Sequence, residues 1–85
     1  MPRYFFHLEH VRLVRDSEGS EHADLDAAKI HAVKMMASAL SDEPRTFWEA
    51  DVFRMNVADP DGLVLFAIEM FGTLAPAGGR HDPDR

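Results

Sequence analysis

Histidines at His7, His10, His22 and His31 and an acidic stretch of Asp16, Glu18, Glu21, Asp24 and Asp26 are the chain's candidates for chemistry. Imidazoles and carboxylates are the ligands of transition-metal sites and the common acid–base groups of enzymes. Spacing argues against both uses here. His7 and His10 lie three apart on or beside a strand, which does not set them on one face, and no H-E-x-x-H or comparable ligand spacing occurs. His31 is predicted on the helix face turned away from the sheet. Exposed, scattered histidines are the plainer account of all but His7, which stands between apolar neighbours and suits a structural, interface or pH-sensitive contact. The carboxylates fall in a loop and a helix cap, where solvation and capping explain them. Asp59, Asp61 and Gly62 look superficially like a calcium loop, but Pro60 and the missing downstream Glu break the pattern, and a hairpin turn explains them. With no cysteine, thiol nucleophiles, zinc-thiolate sites and disulfides are excluded. No nucleophile elbow, phosphate loop or dinucleotide fingerprint is present. The residues therefore point to no catalytic group, metal or cofactor, and to no enzyme.

Size and charge narrow the class further. Eighty-five residues, 46% of them hydrophobic, suit one small domain whose apolar content would gain from association with another copy. A net charge of −6 disfavours a phosphate-backbone partner, because Arg3, Arg12 and Arg54 are the only cations placed near the aromatics of a sheet. The longest apolar run, Leu63 to Ile68, is too short to span a bilayer, and the start lacks the apolar segment of a signal peptide. A cytoplasmic protein is expected.

The elements that would position these residues begin with Arg3-Tyr4-Phe5-Phe6-His7-Leu8, which holds three of the eight aromatic residues. It reads as a strand, with Tyr4, Phe6 and Leu8 on one face and Phe5 and His7 on the other. Glu9-His10 reads as a tight break before a second strand, Val11 to Arg15, and Asp16 to Glu21 as a polar loop. Asp24 is a predicted N-cap for a helix from Leu25 to Glu43, with Ala28, Ala32, Val33, Met36 and Leu40 as its apolar stripe. Arg45 to Ala50 is a connector whose Trp48 is suited to pack over an end of the core. Asp51 to Val57 alternates as a strand with Phe53, Met55 and Val57 inward. The Asp59-Pro60-Asp61-Gly62 turn leads into a last strand, Leu63 to Phe71.

The opening Met1-Pro2-Arg3-Tyr4-Phe5-Phe6-His7-Leu8, the acidic loop Asp16 to Glu21, the helix start Asp24 to Ala28 and the hairpin Asp59 to Gly62 together resemble a family of short bacterial proteins of unknown function. The resemblance spans roughly Met1 to Phe71 and implies a small α+β domain, with no activity attached.

The expected fold is α+β with element order β-β-α-β-β. A right-handed crossover through the helix gives a four-stranded antiparallel sheet, order 2-1-3-4, with the helix on one face. Residues 1–71 form the domain and 72–85 a disordered tail. One helix covers one face, so Phe5, His7, Leu65, Ala67 and Phe71 are expected on a bare, apolar face. The expectation is a non-enzymatic interaction domain that dimerises through that face or binds another protein there. A ligand- or metal-binding accessory protein using His7 and nearby carboxylates is the alternative.

Overall fold

A computed structural model describes residues 1–50 and 52–78 of the chain. It is an α+β fold: five antiparallel strands, one long helix and one short helix. Strand β1 runs Arg3–Glu9, β2 Leu13–Val14 and β3 Ser20–Glu21. Helices α1 (Leu25–Asp42) and α2 (Pro44–Glu49) follow, then β4 (Arg54–Ala58) and β5 (Val64–Glu69). The sheet order is β2-β1-β4-β5, with β3 also paired to β1. The expected order holds for the strands it named, but the sheet has five strands because the polar loop supplies a fifth.

The second strand is also shorter than its β-branched pattern implies. Leu13–Val14 pairs with the end of β1 and Ser20–Glu21 with its beginning. Together they form one edge strand interrupted by a loop. Asp16 bridges the gap: its Oδ2 accepts from the Phe6 N–H at 3.1 Å, where a continuous strand would have offered a carbonyl. Its Oδ1 accepts from the N–H groups of Glu18 and Gly19 at 3.2 and 2.9 Å, folding the loop back on itself. Gly19 has φ +70°, and a Cβ there would stand 2.8 Å from the Tyr4 carbonyl oxygen, so both conformation and space require glycine. Glu9, expected in the break, is instead the last residue of β1.

Asp24 caps α1 as predicted, its Oδ1 accepting from the Ala27 N–H at 2.9 Å. The buried stripe is Ala28, Ala32 and Met36, one residue per turn, with Leu40 half-buried at its end. Val33, expected in that stripe, is 59% exposed. The second ridge against the sheet is Ala27, His31, Met35 and Ala39, all half-buried, on the other side of the stripe from Val33. His31 therefore lies toward the core, contrary to expectation. Pro44 ends α1 and opens α2 as its first residue, turning the expected connector into a helical turn. Phe47, not Trp48, packs inward: its ring lies 5.7 Å from Phe53, while Trp48 is 62% exposed.

Antiparallel register puts directly paired residues on one face of the sheet. Under α1 the rows are Phe6–Val57–Phe66 and Leu8–Met55–Ile68. These rows, with Tyr4, Phe53 and the α1 stripe, are the core. Asp59 sets the β4–β5 turn by accepting from the N–H groups of Asp61 and Leu63, both at 2.9 Å, with Gly62 at φ +89°. The register then slips between Val57 and Ala58, leaving Leu65 as the extra residue of a bulge. Residues 72–75 have no regular structure and 76–78 form a turn; the remainder of the expected tail, 79–85, lies outside the described residues.

Candidate functional site

Among the described residues no helix lies across the other side of the sheet, and the same register specifies its rows. From one end of β1 to the other they are Arg3–Glu21, Phe5–Ala58–Val64, His7–Asn56–Ala67 and Glu9–Arg54–Glu69. The face is thus not uniformly apolar, as the alternation of β1 alone implied. It is apolar to neutral in the middle and charged at both ends. Alternation in one strand cannot reveal this, because the partners of each residue come from register.

Phe5 and His7 are half-buried on β1, and Ala58 beside Phe5 is buried. Ala67 and Leu65 on β5 are exposed, as the outermost strand requires. Four of the five expected contact residues are therefore gathered on or beside this face. Phe71 stands apart, beyond the end of β5, 82% exposed, lining a small hollow with Phe47, Trp48 and Gly72.

His7 is held by a specific bond: the Asp16 N–H donates to its Nδ1 at 3.1 Å. A backbone N–H can only donate, so Nδ1 is unprotonated in this bond and Nε2 carries the neutral ring's proton. Residue 16 thus organises the edge twice, through its N–H to His7 and its carboxylate to β1. Burial pushes the Asp16 carboxyl up, but the N–H groups of Gly19, Phe6 and Glu18, with His7 nearby, together outweigh it and lower the pKa.

The charged row at the far end is a network. Arg54 Nε donates to Glu69 Oε1 at 2.9 Å, and Nη1 to Glu9 Oε1 at 3.3 Å. With side chains 34%, 41% and 37% exposed respectively, these pairs are solvated and individually weak. They also occupy a guanidinium that a nucleic-acid surface would need for phosphate.

The other histidines are more ordered than their spacing suggested. His22 and His31 come together at 4.5 Å between ring centroids, and both rest on Phe6, at 5.5 and 5.0 Å. His22 Nε2 is 2.9 Å from the Ser20 hydroxyl. Burial first, and then the proximity of His22 and Lys34, lower the pKa of His31, so proton uptake there opposes folding as the pH falls below about 6.5. Nine residues apart in sequence, on β3's exit and α1's second turn, the pair carries no spacing motif. His10 stacks on Phe53 at 5.6 Å, its Nδ1 buried without a hydrogen-bond partner among the described residues. Among those residues no group of three or more His, Cys, Asp or Glu is arranged to hold a metal ion. Nor is any helix long and apolar enough to cross a membrane.

No curated protein and no solved structure matches the chain. A family model described as Domain of unknown function (DUF6894) matches residues 3–72, from the first residue of β1 to just past the ladder's end. That span contains every strand and helix of the described residues, with the interrupted edge, and the chain belongs to the DUF6894 family.

Proposed function

We propose that this chain is a non-catalytic interaction domain that self-associates through the sheet face opposite α1. Phe5, His7, Leu65 and Ala67 lie in the contact; Phe71, beyond the end of β5, lies outside it. The supporting observation is the order of the rows: apolar and neutral in the middle, charged at both ends, on a face that no second layer of the described residues covers. That is the pattern of an interface, with its apolar centre and polar rim. A two-fold axis across the strands would set Arg3 of one copy against Glu9 of the other, one opposite-charge contact that the symmetry repeats.

The face is small. Three strands of five to seven residues, at ~3.3 Å per residue and ~4.8 Å spacing, span roughly 15 by 20 Å. A stable interface buries about 800 Å² per partner, so the association is transient and concentration-dependent. Sedimentation from roughly 10 μM to 1 mM, a range suited to transient pairs, tests it. A monomer–dimer equilibrium is expected, and Phe5→Asp should give a folded monomer. A clean monomer throughout overturns the reading. If Phe5→Asp unfolds, Leu65→Asp at the exposed bulge supplies the same test without touching the sheet's centre.

A further inference from the structure

Where β1 and β4 meet the residues after β2 and the turn before β5, the bare face is indented by a pocket of about 250 Å³. Its polar lining is His7, Arg15 and Asn56; Leu13, Ala58 and Val64 form apolar walls. Arg15 is a permanent cation with only donors. His7 has Nδ1 committed to the Asp16 N–H, so its remaining polar atom, Nε2, is a donor in the neutral ring. Asn56 pairs directly with His7 across the β1–β4 ladder and brings an amide that can turn its NH₂ toward an acceptor.

Among the described residues no carboxylate lines this pocket, although the chain carries a net charge of −6. Asp16, adjacent to Arg15, keeps its carboxylate on the N–H groups of Phe6, Glu18 and Gly19. The Glu9–Arg54–Glu69 network lies one row further along the sheet. A hollow offering one cation and two neutral donors selects a single negative charge bearing acceptors. A guanidinium fork matches a planar carboxylate in two parallel bonds, and the apolar walls suit a short alkyl group. The size agrees: drug-sized ligands fill about 300–1,000 Å³, so the occupant is smaller than these.

We infer that this pocket binds a small aliphatic monocarboxylate, with Arg15 paired to the carboxylate and His7 and Asn56 donating to it. The inference does not depend on self-association, although the pocket shares that face. Sedimentation tests one reading and ligand titration the other, so either can fail alone.

The experiment is a ¹H–¹⁵N NMR titration of the full chain with sodium butyrate, at a protein concentration where sedimentation finds a single species. Inorganic phosphate and sodium chloride at matched ionic strength are the comparison arms. Saturable shifts are expected at the His7 ring, the Asn56 side-chain amide and the Arg15 guanidinium. Arg15→Gln, at an exposed position, should weaken butyrate at least about tenfold, the scale of a lost charged bond. Arg15→Lys, which keeps the charge and loses the fork, should fall between. Shifts that chloride reproduces, or that persist unchanged in Arg15→Gln, overturn the inference. Saturation by phosphate at the same or lower concentration overturns the carboxylate assignment.

Discussion

The two faces of this sheet are built from the same three long strands and differ in almost everything else. Under α1, the paired rows Phe6–Val57–Phe66 and Leu8–Met55–Ile68 are apolar from strand to strand. On the other side the chemistry changes row by row, from Phe5–Ala58–Val64 to His7–Asn56–Ala67 to Glu9–Arg54–Glu69. Uniformity is what burial demands, since any unpaired polar group under the helix carries its full desolvation cost. Gradation is what recognition uses, since position along the strand then carries information. The difference teaches that a bare face need not be an unfinished core.

Met55 is 1% exposed under the helix, and Met55→Ala should cost about 2–5 kcal/mol by urea denaturation, the range for large-to-small changes in a core. A loss under 1 kcal/mol would mean that the covered face is not the stabilising one.

The interrupted edge lies between these extremes. Asp16→Ala removes an acceptor from three backbone N–H groups and should cost about 1–2 kcal/mol, allowing for solvent around the loop. The variant should also lose part of the acid limb of the stability curve. Because the folded-state pKa lies below the ordinary 3.8, Asp16 stabilises fully above that value, and its contribution is lost as pH falls through the lowered one. Denaturation between pH 2 and pH 7 of both proteins measures this. Equal slopes would show that the carboxylate is not held as described.

The smallest effect belongs to the charged row. Arg54→Met removes both ion pairs, yet with all three side chains a third or more exposed it should cost about 1 kcal/mol or less. If the row serves as the rim of a contact, the same change should alter the salt dependence of sedimentation more than the melting temperature. A cost rivalling that of Met55→Ala would place Arg54 in the core's accounting instead.

The helix, its Asp24 cap, the Asp59–Gly62 turn and the inward residues of β4 could all be read directly from the chain. Each depends on neighbours within a few residues, through period, capping or turn chemistry. The candidate face was less legible. Phe5 and His7 follow from alternation, but the Glu9–Arg54 contact joins residues 45 apart, and His22 meets His31 only because β3 and α1 converge on Phe6. Asp16 looked like one loop carboxylate among several, because an acceptor for an interrupted strand has no spacing signature. Trp48 and Val33 are exposed despite their apolar side chains for a related reason: hydrophobicity ranks side chains without saying which turn of a helix meets the sheet.

The α+β class, the antiparallel sheet with β1 inside it, and the presence of a face that one helix cannot cover are legible in the chain alone. Those follow from periodicity and from counting layers, both local properties of the chain. What that face carries depends on how distant segments pair. Register brought His7 to Asn56 and Arg54 between two glutamates, and the folded loop fixed the imidazole's free nitrogen. Register is a relation between distant segments, and a shift of one residue would have exchanged the two faces.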